Sequence, residues 1–179
     1  MGPIPDLQGG KAQHFAHARS GYSVSRPVAH GQDAGMHRVR LTGDLAVRVP
    51  PGDAFRLFTP LGERDWVHGW DPHFPAPADD DSAPGTVFTT ASDGHRATWM
   101  VIDRDDGRGI RYARVVDGRD AATVAVRLAP ADGYTRVTVT YELTALSEAG
   151  DRWLRRFADG YPAFLQSWER ALTGPGARP

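Results

Sequence analysis

The chain has 179 residues, of which 40% are hydrophobic and 24% charged, with a formal net charge of -1, as is typical of one globular domain. This charge balance gives no bulk attraction to nucleic acid or to an anionic membrane, so neither is predicted as a partner. The absence of cysteine excludes disulfides, thiolate metal sites and cysteine nucleophiles, and it is compatible with a cytoplasmic location. No run of about 18 apolar residues is present, so no membrane span is predicted.

The first 35 residues differ in composition from the rest of the chain. They are rich in Gly, Ala, His, Ser and Pro, and they show neither helical nor strand-like apolar periodicity. Such a segment buries too little apolar surface to offset its ordering entropy. We therefore predict a flexible leader over residues 1–35, a folded domain over residues 36–174 and a short tail over residues 175–179.

A strand and two short helices are predicted at the start of the domain. Apolar and polar residues alternate over residues 37–49, and the interruption at Gly43 predicts a bulge in this strand. Two short helical segments follow over residues 53–58 and 61–67, with a proline between them. The Pro-rich loop after them has room for a short edge strand near Phe74.

Four Asp-Gly pairs organise the middle of the chain. The pairs are Asp93-Gly94, Asp106-Gly107, Asp117-Gly118 and Asp132-Gly133. Each suits the positive φ angles of a tight hairpin turn. The segments around and between them predict an antiparallel meander of five strands, over residues 86–91, 95–103, 109–116, 122–129 and 134–143. With the first strand the sheet has six strands, or seven if the segment near Phe74 forms a further one.

The side chain of Arg114 is predicted to point into the molecule. Strict alternation places it on the same face as Tyr112, just as Tyr141 shares the apolar face of the last strand. A buried arginine needs a partner. Arg114 therefore either holds an anionic group of a ligand or pairs with an acidic side chain; the acidic candidates are Glu142, Asp117 and Asp120.

The chain closes with a long helix, predicted over residues 147–172. Ser147 offers a cap at its start, and Gly160 with Pro162 predicts a kink. One apolar stripe runs along the helix, made by Trp153, Leu154, Phe157, Tyr161, Phe164, Leu165, Trp168 and Leu172. A sheet with one apolar face needs a cover, and this stripe supplies it.

This order of elements resembles that of the START-like, or SRPBCC, superfamily, and local phrases are similar to its polyketide cyclase/dehydrase-like branch. The phrases are Gly62-Glu63 before Trp66, Gly69-Trp70-Asp71-Pro72, Gly85 with Phe88, Trp99, and the run from Thr138 to Ser147. The resemblance covers about residues 36–173. It implies an α+β helix-grip fold, in which a curved antiparallel sheet of six or seven strands wraps around the long C-terminal helix, with two short helices after the first strand. It also implies an internal cavity between sheet and helix, but no shared catalytic set.

The aromatic residues of the inner face and the helix are the predicted lining of that cavity. The predicted ligand-binding residues are Trp66, Trp70, Phe88, Trp99, Tyr112, Arg114, Tyr141, Phe157, Tyr161 and Phe164. In similar folds the segment that carries Trp66 and Trp70 gates entry. If the site does chemistry, the catalytic candidates are Tyr112, Arg114 and Tyr141, because phenol and guanidinium groups can protonate or polarise an enolate.

Two groups of possible metal ligands are interpreted as loops. His68, Asp71 and His73 lack the i, i+4 spacing of a helical ligand pair. The acidic run over residues 79–81 is too short for a calcium site and is predicted to be solvated. No metal and no cofactor are predicted.

Three functions stay open at this point. The favoured one is binding of a small hydrophobic or aromatic molecule in the internal cavity. The alternative is a polyketide cyclase/aromatase-like enzyme, so the sequence leaves open whether the protein is an enzyme. The third is a protein-interaction module of the chaperone-activator type, which would have a filled interior. The oligomeric state is not set by the sequence, and a homodimer is compatible with it.

Overall fold

The computed structural model describes residues 23–25, 37–92 and 94–173. The strands are β1 (Ser23–Ser25), β2 (Arg38–Val47), β3 (Val87–Ser92), β4 (His95–Asp105), β5 (Gly109–Val116), β6 (Asp120–Ala131) and β7 (Tyr134–Ala145). They form one antiparallel sheet in the order β1-β2-β7-β6-β5-β4-β3. The helices are α1 (Pro51–Leu57) and α2 (Glu148–Thr173), with a single 3₁₀ turn at Gly62–Asp65 between α1 and β3. The described residues therefore have the predicted α+β helix-grip architecture.

The hairpin turns lie where the Asp-Gly pairs predict them. Gly94, Gly107, Gly118 and Gly133 all have positive φ angles, between 65° and 79°. An L-residue with a side chain rarely adopts these angles, so glycine suits each turn. Asp93 lies outside the described residues, and the other three pairs connect β4 to β5, β5 to β6 and β6 to β7.

The prediction of a bulge in the first long strand is wrong. The pairing of β2 with β7 runs without a shift from Arg38 opposite Thr144 to Val47 opposite Thr135. The apolar residues on both sides of Gly43 have the same parity, so β2 keeps one face inward without an extra residue. The register shifts instead in β4, between Val101 and Asp103.

The seventh strand is not the one predicted near Phe74. Ser23–Ser25 falls within the predicted leader, and its backbone pairs with β2, with Ser23 opposite Thr42. The remaining leader residues and the predicted tail lie outside the described residues. Near Phe74 the chain makes only an isolated bridge, between His73 and Thr89.

The long helix covers the concave face of the sheet, mainly over β2 and β7. Its start is capped as predicted, because the Ser147 Oγ accepts a hydrogen bond from the Gly150 N–H at 3.0 Å. Pro162 lies inside the helix, which continues to Thr173. The apolar stripe is buried except for Trp153, which is half-buried. Neither helix of the described residues combines the length and the apolar composition needed to cross a membrane.

Candidate functional site

One row of side chains crosses the concave face from β3 to β7. The register of the sheet places in it Phe88, Trp99, Arg114, Ala122 and Leu143, in that order. Four of these residues are large, whereas Ala122 ends at its Cβ atom. Within this row the inner surface of the sheet is therefore lowest at Ala122, between Arg114 and Leu143.

Arg114 points inward, as alternation predicts, and only 3% of its side chain is exposed. Its Nη2 donates to one carboxylate oxygen of Asp120, which is fully buried. The other oxygen accepts a hydrogen bond from the Arg119 Nε at 2.7 Å. Asp120 is thus the acidic partner among the three candidates, since Glu142 is bonded to Arg40 at 2.6 Å. Both carboxylate oxygens of Asp120 are therefore bonded to guanidinium groups.

The Nε–H of Arg114 has no hydrogen-bond partner among the described residues, although the atom is buried. Its guanidinium carbon lies 5.5 Å from the ring centre of Trp99 and 5.7 Å from that of Trp153. Trp153 stacks on Phe157 at 5.2 Å, and Phe157 meets Tyr141 edge to face at 5.5 Å. A cation and four aromatic rings therefore form one continuous group beside Ala122.

The start of α2 is fixed to the turn between β5 and β6, which positions Trp153. The Ser147 hydroxyl donates to the Gly118 carbonyl at 2.6 Å, and the Leu146 N–H donates to the Arg119 carbonyl at 2.9 Å. A Cβ atom on Gly150 would lie 1.9 Å from that same carbonyl oxygen, so only glycine permits the close approach. As a result the Trp153 ring lies 4.2 Å from the guanidinium carbon of Arg119.

The three inner tyrosines differ in what their hydroxyl groups do. Tyr112 donates to the Phe58 carbonyl and Tyr161 to the Val139 carbonyl, both at 2.8 Å. Tyr141 has only 1% of its surface exposed and makes no hydrogen bond within the described residues. Burial raises the pKa of all three phenols, so each is neutral at physiological pH. Of the two predicted catalytic tyrosines, Tyr112 donates its hydroxyl proton to a backbone carbonyl. The Tyr141 hydroxyl donates to no described residue.

Trp66 and Trp70 attach the segment after α1 to the rest of the domain. The indole N–H of Trp66 donates to the Leu57 carbonyl and that of Trp70 to the Pro60 carbonyl, each at 2.7 Å. Trp66 is half-buried against Trp168 of α2, with 5.3 Å between ring centres. Trp70 is buried against Trp99 at 5.8 Å. Trp66 therefore packs against the long helix, whereas Trp70 packs against β4 of the sheet.

The other predicted lining residues are buried behind these rings. Phe88 stacks parallel to Trp99 at 5.9 Å. Phe164 contacts Trp168 at 4.8 Å and Tyr161 contacts Phe157 at 5.7 Å. These residues support the group around Arg114 and extend it along α2.

Sequence reasoning did not include Trp153, Arg119 or Ala122 among the site residues, and it left Asp120 as one of three acidic alternatives. Trp153 carries a usable signal, because it precedes Phe157 by about one helical turn on the apolar stripe. The role of Ala122 depends on the register between strands, which the sequence does not specify residue by residue.

The H-x-x-D-x-H segment does not gather metal ligands. His68, Asp71 and His73 are all exposed, and Asp71 is bonded to Arg64 at 2.9 Å. Among residues 37–92 and 94–173 no three His, Asp or Glu side chains are grouped closely enough to hold a metal ion. That the protein binds no metal stays a prediction.

The acidic run over residues 79–81 has more defined contacts than a solvated loop. Asp80 is bonded to Arg104 at 2.5 Å and accepts from the Ser82 hydroxyl at 2.7 Å. Hydrogen bonds from Ser82 and Arg104 lower the pKa of Asp80 to about 2. Asp81 accepts from the Leu61 N–H at 2.7 Å. The run therefore connects β4 to the segment that carries Trp66 and Trp70.

No family model matches the chain, and no curated protein matches it. Solved structures of similar fold include CalU16 from Micromonospora echinospora, with 14% identity, a TM-score of 0.58 and 87% of each chain covered. The Aha1 dimer from Colwellia psychrerythraea matches with 15% identity and a TM-score of 0.55, covering 77% of this chain and 99% of that one. DynU16, a protein of the dynemicin biosynthetic locus, matches with 19% identity and a TM-score of 0.53, covering 79% of this chain and 49% of that one. At these identities the similarity shows a shared fold.

Proposed function

We propose that this protein binds a small hydrophobic or aromatic molecule between the concave face of the sheet and the first half of α2, above Ala122. The proposal is supported mainly by one buried polar group, the Arg114 Nε–H, that lacks a partner among the described residues. Nearly all buried polar groups in proteins are hydrogen-bonded, so such a group calls for an explanation. Polar groups without partners among aromatic rings are typical of small-molecule sites.

Each part of the site has a distinct role in this proposal. Trp99, Trp153 and Phe157 supply apolar contact, and Ala122 provides the room. Tyr141 and Arg114 orient the ligand through hydrogen bonds. The remaining predicted lining residues keep these rings in place from behind, and the segment with Trp66 and Trp70 forms the entrance.

Filling the space above Ala122 tests the proposal. Ala122→Leu adds three carbon atoms on the inner face, whereas Ala121→Leu adds the same atoms to the neighbouring residue on the outer face. Isothermal titration with naphthamide, a neutral aromatic probe, is expected to show binding that Ala122→Leu weakens roughly tenfold or more, and that Ala121→Leu leaves unchanged. Equal binding by the two variants would place the probe elsewhere and contradict the proposal.

One observation favours the alternative of a cyclase-like enzyme. The Tyr141 phenol keeps its proton because burial raises its pKa, and no described residue engages that proton. It could therefore donate its proton to the alkoxide oxygen that forms when the enolate carbon of a polyketide-type substrate attacks a ketone carbonyl, and regain a proton from solvent before the next turnover. In this alternative Tyr141→Phe would lose roughly 100-fold or more of the turnover of a poly-β-ketone thioester, a much larger effect than the loss of one neutral hydrogen bond has on naphthamide binding. If the wild-type protein binds naphthamide and does not turn over the thioester, the binding function stands without the enzymatic one.

A further inference from the structure

Three charged side chains meet at the edge of the proposed site with one positive charge left over. The two carboxylate oxygens of Asp120 accept hydrogen bonds from two guanidinium groups, those of Arg114 and Arg119. Two positive charges and one negative charge leave a net charge of +1. Among the described residues the ionised groups that act on Arg114 are the attractive Asp120 and the repulsive Arg119.

This excess charge lies largely out of water. Arg114 is 3% exposed and Asp120 is not exposed at all, while Arg119 is 17% exposed. Burial removes water from the charged form of Arg114 and so lowers its pKa. A buried charge without full compensation is unfavourable, so an anion at this position would stabilise the cluster.

One donor of Arg114 remains available to a ligand. With Nη2 of Arg114 bonded to Asp120, its Nε–H is the buried donor without a partner in the described part of the chain. The guanidinium lies between the rings of Trp99 and Trp153. An oxygen anion bonded to Nε would therefore lie near these two indoles.

We infer that the ligand of this site is an aromatic monoanion, a carboxylate or an acidic phenolate, whose charged oxygen accepts a hydrogen bond from the Arg114 Nε. This inference rests on the proposed function, because it names the ligand class of the same site. One negative charge neutralises the cluster, whereas a dianion would reverse its sign in a buried place. The site therefore favours single over double negative charge.

A pair of probes of nearly equal shape separates charge from aromatic contact. Naphthoate is an anion at pH 7, and naphthamide is its neutral counterpart. For the wild-type protein we expect naphthoate to bind roughly tenfold or more tightly than naphthamide, as a charge-assisted hydrogen bond at a buried site contributes about this much. Arg114→Met is expected to bring the ratio of the two affinities close to one, because naphthoate loses a charge-assisted hydrogen bond and naphthamide only a neutral one.

A second variant keeps the test independent of whether Arg114→Met folds. Arg119→Gln removes the excess charge but leaves Asp120 paired with Arg114, and it changes a side chain that is partly exposed. It is expected to lower the affinity ratio by roughly threefold or more, since the donor remains while the net charge falls to zero. Arg127→Gln, on the exposed face of β6, is the matched control and should leave the ratio unchanged.

The outcomes separate this inference from the function on which it rests. Equal affinities of the wild-type protein for both probes, or a ratio unaffected by Arg114→Met and Arg119→Gln, would overturn the anionic ligand class and leave the binding function standing. Failure of the wild-type protein to bind either probe would overturn both.

Discussion

The Tyr112 hydroxyl donates a hydrogen bond of 2.8 Å to the backbone carbonyl of Phe58. Both residues are buried, and the bond joins the middle of β5 to the turn that ends α1. That turn leads into the segment with Trp66 and Trp70, which forms the proposed entrance. The position of the entrance segment relative to the sheet therefore depends on this bond.

Removing the Tyr112 hydroxyl is expected to destabilise the domain. Tyr112→Phe leaves the buried Phe58 carbonyl without this donor, which costs about 1–2 kcal/mol of the free energy of unfolding. Tyr141→Phe is the matched control, because that hydroxyl has no hydrogen-bond partner among the described residues and its loss should cost less than about 0.5 kcal/mol. Urea denaturation followed by circular dichroism measures both. Equal losses would mean that the bond to Phe58 adds no stability.

The two members of the buried ion pair should respond differently to substitution. Asp120→Ala leaves Arg114 and Arg119 facing each other without a carboxylate, which we expect to cost about 3–5 kcal/mol. Arg114→Met leaves Asp120 still bonded to Arg119 and should cost about 1–2 kcal/mol. Denaturant titration of both variants checks the order, and a reversed order would show that Arg119 does not compensate Asp120.

Close packing at the start of α2 predicts a large effect of one added methyl group. Gly150→Ala would force its Cβ against the Arg119 carbonyl, with a cost of about 2 kcal/mol or more as α2 moves away. Gly52→Ala in α1 meets nothing within 4 Å and is expected to stabilise the protein by up to about 1 kcal/mol through helix propensity. Thermal unfolding distinguishes the two. A Gly150→Ala variant as stable as the wild type would contradict the fixed contact between α2 and the β5–β6 turn.

Acid should weaken the contact between the acidic run and β4. Because the pKa of Asp80 is about 2 in the folded protein and 3.8 in the unfolded chain, its contribution to stability is present above pH 3.8 and is lost as pH falls through 2. The side chain is 49% exposed, so screening keeps this contribution below about 1 kcal/mol. Melting temperatures of the wild type and Asp80→Asn should differ at pH 5, and the difference should shrink towards pH 2 and vanish below it. Asp79→Asn, at an exposed neighbour, should follow the wild type throughout.

Much of the fold was predictable because strands and hairpins have local signals. Alternation assigned Arg114 and Tyr141 to the inner face, and the Asp-Gly pairs located the turns, since both depend on neighbouring residues only. The bulge at Gly43 was a wrong prediction, because glycine in a strand signals either a bulge or a simple gap in the side-chain row. The cap at Ser147 was also predictable, as capping is local.

The candidate site was less predictable because its contacts are distant in sequence. Alternation shows that Arg114 is buried, but it does not choose Asp120 over Glu142, whose actual partner Arg40 is 102 residues away. The contact between Trp153 and Arg119 depends on how α2 rests on the β5–β6 turn. Whether the predicted lining residues bind a ligand stays a prediction.

The most direct test of the proposed binding site is native mass spectrometry of the freshly purified protein, followed by denaturing extraction of any bound molecule. We predict either a co-purified aromatic or hydrophobic compound at one per chain, or one-to-one uptake of added naphthoate that Ala122→Leu prevents. A mass that stays equal to that of the bare chain, together with no shift in melting temperature across a panel of aromatic compounds, would contradict the binding site. That result would favour the third function, a protein-interaction module with a filled interior.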